Sequence, residues 1–116
     1  TMYVDSNLQL NEIKRTTSAP TAPSDEVTFS DNSIDYTEGS TQKFVGTSAT
    51  TLAEITNGTE GNELVIVASD TTGLTVTNQG GNISVASNAV LDQAGDQIKL
   101  VFIDGIWTEV SRAIQA

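Results

Sequence analysis

The 116-residue chain contains no cysteine and no histidine. The first absence excludes disulfides and thiolate metal sites. The second removes the commonest general base near neutral pH and the commonest transition-metal ligand. Basic residues are scarce, five Lys and Arg against fifteen Asp and Glu, so the formal net charge is −10. Lys14-Arg15 is the only adjacent basic pair, so the electrostatic footprint of a nucleic-acid binder is missing. Attraction to an anionic membrane surface is missing for the same reason. No apolar run approaches the ~20 residues that a membrane-spanning helix needs. Hydrophobic residues make up 37% of the chain and aromatics 5%. That supply is thin for a small core without staples, and oligomerisation is the remaining way to add buried area. The carboxylates are dispersed rather than run together, which reads as a solvated, mutually repelling surface.

What is present divides into three zones. Residues 1–17 mix strand-like and helix-like spacing and read as an N-terminal arm. Residues 18–24, "SAPTAPS", form an extended Pro/Ala/Ser linker, since each proline fixes its own φ and extends its predecessor. Residues 25–116 read as a β domain. Short alternating runs follow one another there: "EVTFS", "SIDYT", "TQKFVG", "LAEIT", "ELVIVAS", "GLTVTN", "NISVAS", "DQIKLVFI" and "IWTEVSR". Clusters such as "DNS", "NGTEGN", "NQGGN" and "DQAGD" separate them, as turn residues do. This pattern predicts an all-β fold of short antiparallel strands, a small β-sandwich or a β-helix or prism-like module. A helical turn is conceivable around Ala86–Leu91. Four apolar pairs repeat loosely, Leu64/Ile66, Leu74/Val76, Ile83/Val85 and Ile98/Leu100, and their spacing does not choose among these architectures.

Asp104-Gly105 between two β-rich runs predicts a hairpin, because its turn needs positive φ. With those two residues as the loop, Ile103 faces Ile106, Phe102 faces Trp107, Val101 faces Thr108, Leu100 faces Glu109 and Lys99 faces Val110. One face then carries Ile98, Leu100, Phe102 and Trp107. The other carries Val101, Ile103, Ile106 and Val110. A hairpin on a monomeric sheet keeps one face wet, whereas this one is apolar on both. A partner copy is the natural cover. The candidate oligomer interface is therefore Ile98, Leu100, Phe102, Ile103, Ile106, Trp107 and Val110, with Trp107 and Phe102 at or near the subunit boundary.

Catalytic candidates are weak. Paired carboxylates suffice for glycoside hydrolysis. The pairs to consider are Asp25-Glu26, Glu60/Glu63, Asp92/Asp96 and Asp104/Glu109, and most sit in turns where acidic residues are common. Ser and Thr have no histidine to activate them. "DNSIDYTEG", Asp31 to Gly39, lacks the ligand spacing of a calcium loop and reads as a strand flanked by turns. No enzyme activity, cofactor or metal is expected of this chain.

From Leu52 to Arg112 the chain resembles the C-terminal β region of bacteriophage tail-fibre, tailspike and related virion proteins. The matching residues are Ile55, Asn57, Gly58, Gly61 and Leu64, then Val76, Asn78, Gly81, Asn82 and Ile83. The closing motif is Gly95-Asp96-Gln97-Ile98, Leu100-Val101-Phe102, Asp104-Gly105, Trp107 and Glu109-Val110-Ser111-Arg112. The resemblance implies a rigid, homotrimeric, non-enzymatic module on the virion surface that serves host attachment or virion assembly. Its implied partners are its own copies, other virion proteins through residues 1–24, and a host surface glycan. A capsid decoration or head-fibre protein, and an extracellular carbohydrate-binding or adhesion module, are the alternative readings.

Overall fold

The computed structural model describes residues 26–78 and 82–115. The expected arm, the linker and Asp25 lie outside them. The described chain is all-β: β1 (Glu26–Phe29), β2 (Ser33–Asp35), β3 (Thr41–Phe44), β4 (Thr50–Thr51), β5 (Glu54–Thr56), β6 (Glu63–Ala68), β7 (Leu74–Val76), β8 (Ile83–Ser84), β9 (Ala89–Leu91), β10 (Gln97–Ile103) and β11 (Ile106–Ala113). Ala89–Leu91, where a helical turn was conceivable, is a strand, with Ala89 and Leu91 inward and Val90 outward.

The strands stack as coils of a short, flattened solenoid. β1, β3 and β6 run parallel on one wall. β2 and β5 are parallel on a second, and β4 and β7 on a third. Then the chain reverses. β9 pairs antiparallel with β7, β10 with β6, and β11 with β10. β8 lies parallel to β11, so the large sheet has the order β1-β3-β6-β10-β11-β8. Antiparallel pairing is thus confined to the C-terminal part, and the β-helix form of the expectation describes the rest. The apolar pairs spaced about ten residues apart mark successive walls rather than successive coils. Leu64 and Ile66 lie opposite Leu100 and Ile98 on the large sheet, while Leu74 and Val76 face Leu91 and Ala89 on another.

Alternation along each strand sends every second side chain inward. In-register stacking then places like on like. Phe29, Phe44 and Ala68 form one ladder, with the two rings 5.4 Å apart. Ile34 lies on Ile55. The inner faces of all walls contribute to one core, and each fully buried Leu or Ile there stabilises the fold by about 1.5–3 kcal/mol. Two polar side chains are buried among the described residues, Gln42 and Asp96. Gln42 is buried, and its Nε2 donates to the carbonyls of Asp35 and Gly39 at 2.8 and 3.0 Å. It thereby satisfies the ends of the 3-10 turn Tyr36–Glu38, as a buried amide must.

Candidate functional site

The hairpin β10–β11 is built as the Asp-Gly turn requires, with φ of 54° at Asp104 and 81° at Gly105. Pairing from Ile103↔Ile106 to Leu100↔Glu109 follows simple alternation. Beyond it a bulge shifts the register, and Lys99 faces Ser111 rather than Val110. Val110 is the extra residue, expelled from the ladder and 54% exposed.

The seven interface candidates separate into three groups. Ile98, Leu100 and Trp107 are fully buried in the single chain, so they differ from their expected role. The indole lies between Tyr36, at 5.3 Å, and Phe102, at 5.0 Å between ring centroids. Gly58 closes over it, where an added Cβ would stand 2.6 Å from Trp107 Cζ2 and 3.0 Å from Phe102 Cδ1. That contact explains the glycine after Asn57. Phe102 is partly buried at the margin of the core. Ile103, Ile106 and Val110 are exposed and remain available to a partner.

Two carboxylates that strand patterning does not single out hold this region together. Asp96 is fully buried. Its Oδ2 accepts from the backbone N–H of Asp92 and Gln93 at 3.1 Å each, and its Oδ1 from that of Gln115 at 2.8 Å. Glu109 receives a bidentate pair from Arg112, Nε at 2.7 Å and Nη2 at 2.8 Å. It also accepts from the Ala86 N–H at 2.9 Å, while Arg112 donates to the Ser87 and Asn88 carbonyls. This clamp ties the hairpin to the segment before β9.

The Arg112 hydrogen bonds hold the Glu109 carboxyl below its ordinary value of 4.5, against the opposing effect of burial. At Asp35 the Asn57 side chain, followed by the Thr37 side chain and N–H, lowers the carboxyl, and at Asp70 the Thr72 N–H and side chain do the same. A carboxyl depressed on folding contributes stability that is complete above its unfolded value and is lost as pH falls through the folded one. The thermal midpoint should therefore hold near neutrality and decline below about pH 4.5. Glu109→Gln should lower stability by ~1–2 kcal/mol at pH 7 and flatten part of that decline. A series of thermal melts from pH 7 to 3 checks both.

The remaining carboxylates are also engaged or isolated. Glu60 accepts from the Asp104 N–H at 2.9 Å, and Glu63 pairs with Lys99 at 3.1 Å. A cleft of 330 Å³ is lined by Thr28, Phe29, Ser30, Asp31, Ser33, Asp35 and Glu38, without a basic group. Asp35 Oδ1 in that cleft already accepts three hydrogen bonds, from the Thr37 N–H and Oγ1 and from Asn57 Nδ2. Among the described residues, no three or more Asp, Glu, His or Cys converge as for a metal ion. No helix among them is long and apolar enough to cross a membrane.

The geometry defines a class before it defines a family. It is a short β-solenoid closed by its own C-terminal hairpin, whose polar side chains mostly bind its own backbone. The family model described as the phage depolymerase C-terminal beta sandwich domain matches residues 14–108, and the chain belongs to that family. It is accordingly a structural β module of a phage tail, of the tailspike type. The sandwich is visible here as the six-stranded sheet and the two smaller sheets sharing one core. No curated protein matches the chain.

Proposed function

We propose that this module joins three copies of its polypeptide at the end of a tailspike and presents a rigid β surface to the host envelope, without carrying out chemistry itself. The observation that carries the reading is the exposed apolar set Ile103, Ile106 and Val110 on the closing hairpin. A lone soluble chain rarely leaves such a set wet. The engaged carboxylates support a structural role, since they are spent on backbone N–H groups and on Arg112 and Lys99. Membership of a depolymerase family favours the tail over capsid decoration. Residues 1–24 join the module to another part of the virion, and a host glycan is the surface ligand. Hydrolysis of that glycan belongs to groups outside this chain. Light scattering at micromolar concentration tests the assembly, with three times the chain mass of 12.2 kDa expected. A clean monomer overturns the reading.

A further inference from the structure

We infer that copies of this chain meet through the outer face of the six-stranded sheet, the face turned away from the core. The inference rests on the trimer reading above and names its surface. The first observation is the composition of β6 and β10. β6 runs Leu64-Val65-Ile66-Val67-Ala68, with Leu64, Ile66 and Ala68 buried inward and Val65 and Val67 half-buried on the outside. A continuous apolar run is the pattern of a strand covered on both faces, and the described residues cover only one. Register places the outward residues beside each other. Val65 lies against Lys99, Val101 against Thr108, and Ile103 against Ile106. Val101 also lies against Glu63 and Val67 against Gln97, so a mixed band, with Val65, Val67, Val101, Ile103 and Ile106 among Lys99, Glu63, Gln97 and Thr108, crosses the outside of the sheet from β6 to the hairpin tip.

The second observation is charge. The described residues contain three basic side chains, Lys43, Lys99 and Arg112. Arg112 is held by Glu109. Both lysines lie on this outer face, each beside a carboxylate of the same face, Lys43 with Glu26 at 3.6 Å and Lys99 with Glu63 at 3.1 Å. The two pairs make this face neutral. Elsewhere Asp31, Glu38, Glu54 and Asp70 have no basic partner among the described residues. Identical acidic surfaces repel within a Debye length of about 8 Å, and like charges placed opposite one another oppose association. This face, neutral and partly apolar, is where a second copy of a strongly acidic chain can approach. Its lysines and carboxylates can also exchange partners between copies.

The test uses the whole 116-residue chain and three variants, each checked for its β circular dichroism. Val101→Glu places a charge in the centre of the band. Val90→Glu places the same charge at an outward position of β9, 43% exposed on another wall. Lys43→Glu/Lys99→Glu leaves the core untouched and makes the face acidic. Val101→Glu and the double lysine variant should raise the concentration at half-dissociation roughly tenfold or more, the latter less so in high salt, while Val90→Glu assembles as the parent does. A folded Val101→Glu or double lysine variant that remains trimeric at the parental concentration overturns this face and leaves the trimer standing. Should Val101→Glu not fold, the lysine variant decides alone. A monomeric parent chain, as when another protein is the true occupant, overturns both.

Discussion

Trp107→Ala is expected to unfold the module itself. The indole is fully buried, flanked by Tyr36 and Phe102 and capped by Gly58. Truncating a buried Trp costs ~3–5 kcal/mol, a large part of the ~5–15 kcal/mol that stabilises a typical domain. The neighbours cannot collapse into the gap easily, because Tyr36 belongs to a 3-10 turn held by Gln42 and Phe102 to the β10 ladder. The indole Nε1 has no hydrogen-bond partner among the described residues, and a buried unpaired N–H is itself costly. Trp107→Phe removes that group while keeping a ring in place, so it should cost distinctly less than alanine. Denaturant unfolding followed by far-UV circular dichroism separates the two. A Trp107→Ala chain that keeps its β spectrum and parental midpoint would sink the buried-indole account.

The second large effect is expected at Asp96. Its carboxylate receives three backbone N–H groups from two segments, the turn after β9 and the chain end beyond β11. Asp96→Ala leaves those donors without their acceptor. Hydrogen bonds to charged groups contribute ~1.5–3 kcal/mol each, and they do not add fully in one network, so a total loss of about 3–4 kcal/mol is expected. Asp96→Asn keeps the shape but supplies only one acceptor oxygen and should fall between the parent and alanine. Hydrogen exchange at Asp92, Gln93 and Gln115 reads the effect locally. Unchanged protection at all three amides in Asp96→Ala would show that another group satisfies them.

Much of the fold is legible along the chain. "ELVIVAS" and "DQIKLVFI" announce strands by alternation and β-branching, and Asp104-Gly105 announces the hairpin by its need for positive φ. The first four cross-strand pairs follow from counting outward from that turn. Counting fails at the bulge. Nothing local to Val110 marks it as the extra residue, because the slip aligns Arg112 and Glu109 with a distant segment at Ala86–Asn88. The parallel winding is hidden for a similar reason. Alternation reports which side of a strand is buried, not which neighbour buries it, so Leu64/Ile66 and Leu74/Val76 look like successive repeats yet occupy different walls. Asp96 stands in a turn cluster like any other turn aspartate. Only the return of Gln115 to the same place gives it a third donor.

The sequence by itself determined that the chain is β-structured, acidic, without cysteine or histidine, and closed by a hairpin with two apolar faces. Those properties reside in composition, in period-two patterning and in one turn dipeptide, all local. Only the tertiary structure decided how those two faces are used. Stacking β10 on β6 and folding β11 back over Tyr36 puts Ile98, Leu100 and Trp107 into the chain's own core. It leaves Ile103, Ile106 and Val110 outside. Two faces of one hairpin can have the same hydrophobicity, and what covers each is settled by segments far away in sequence.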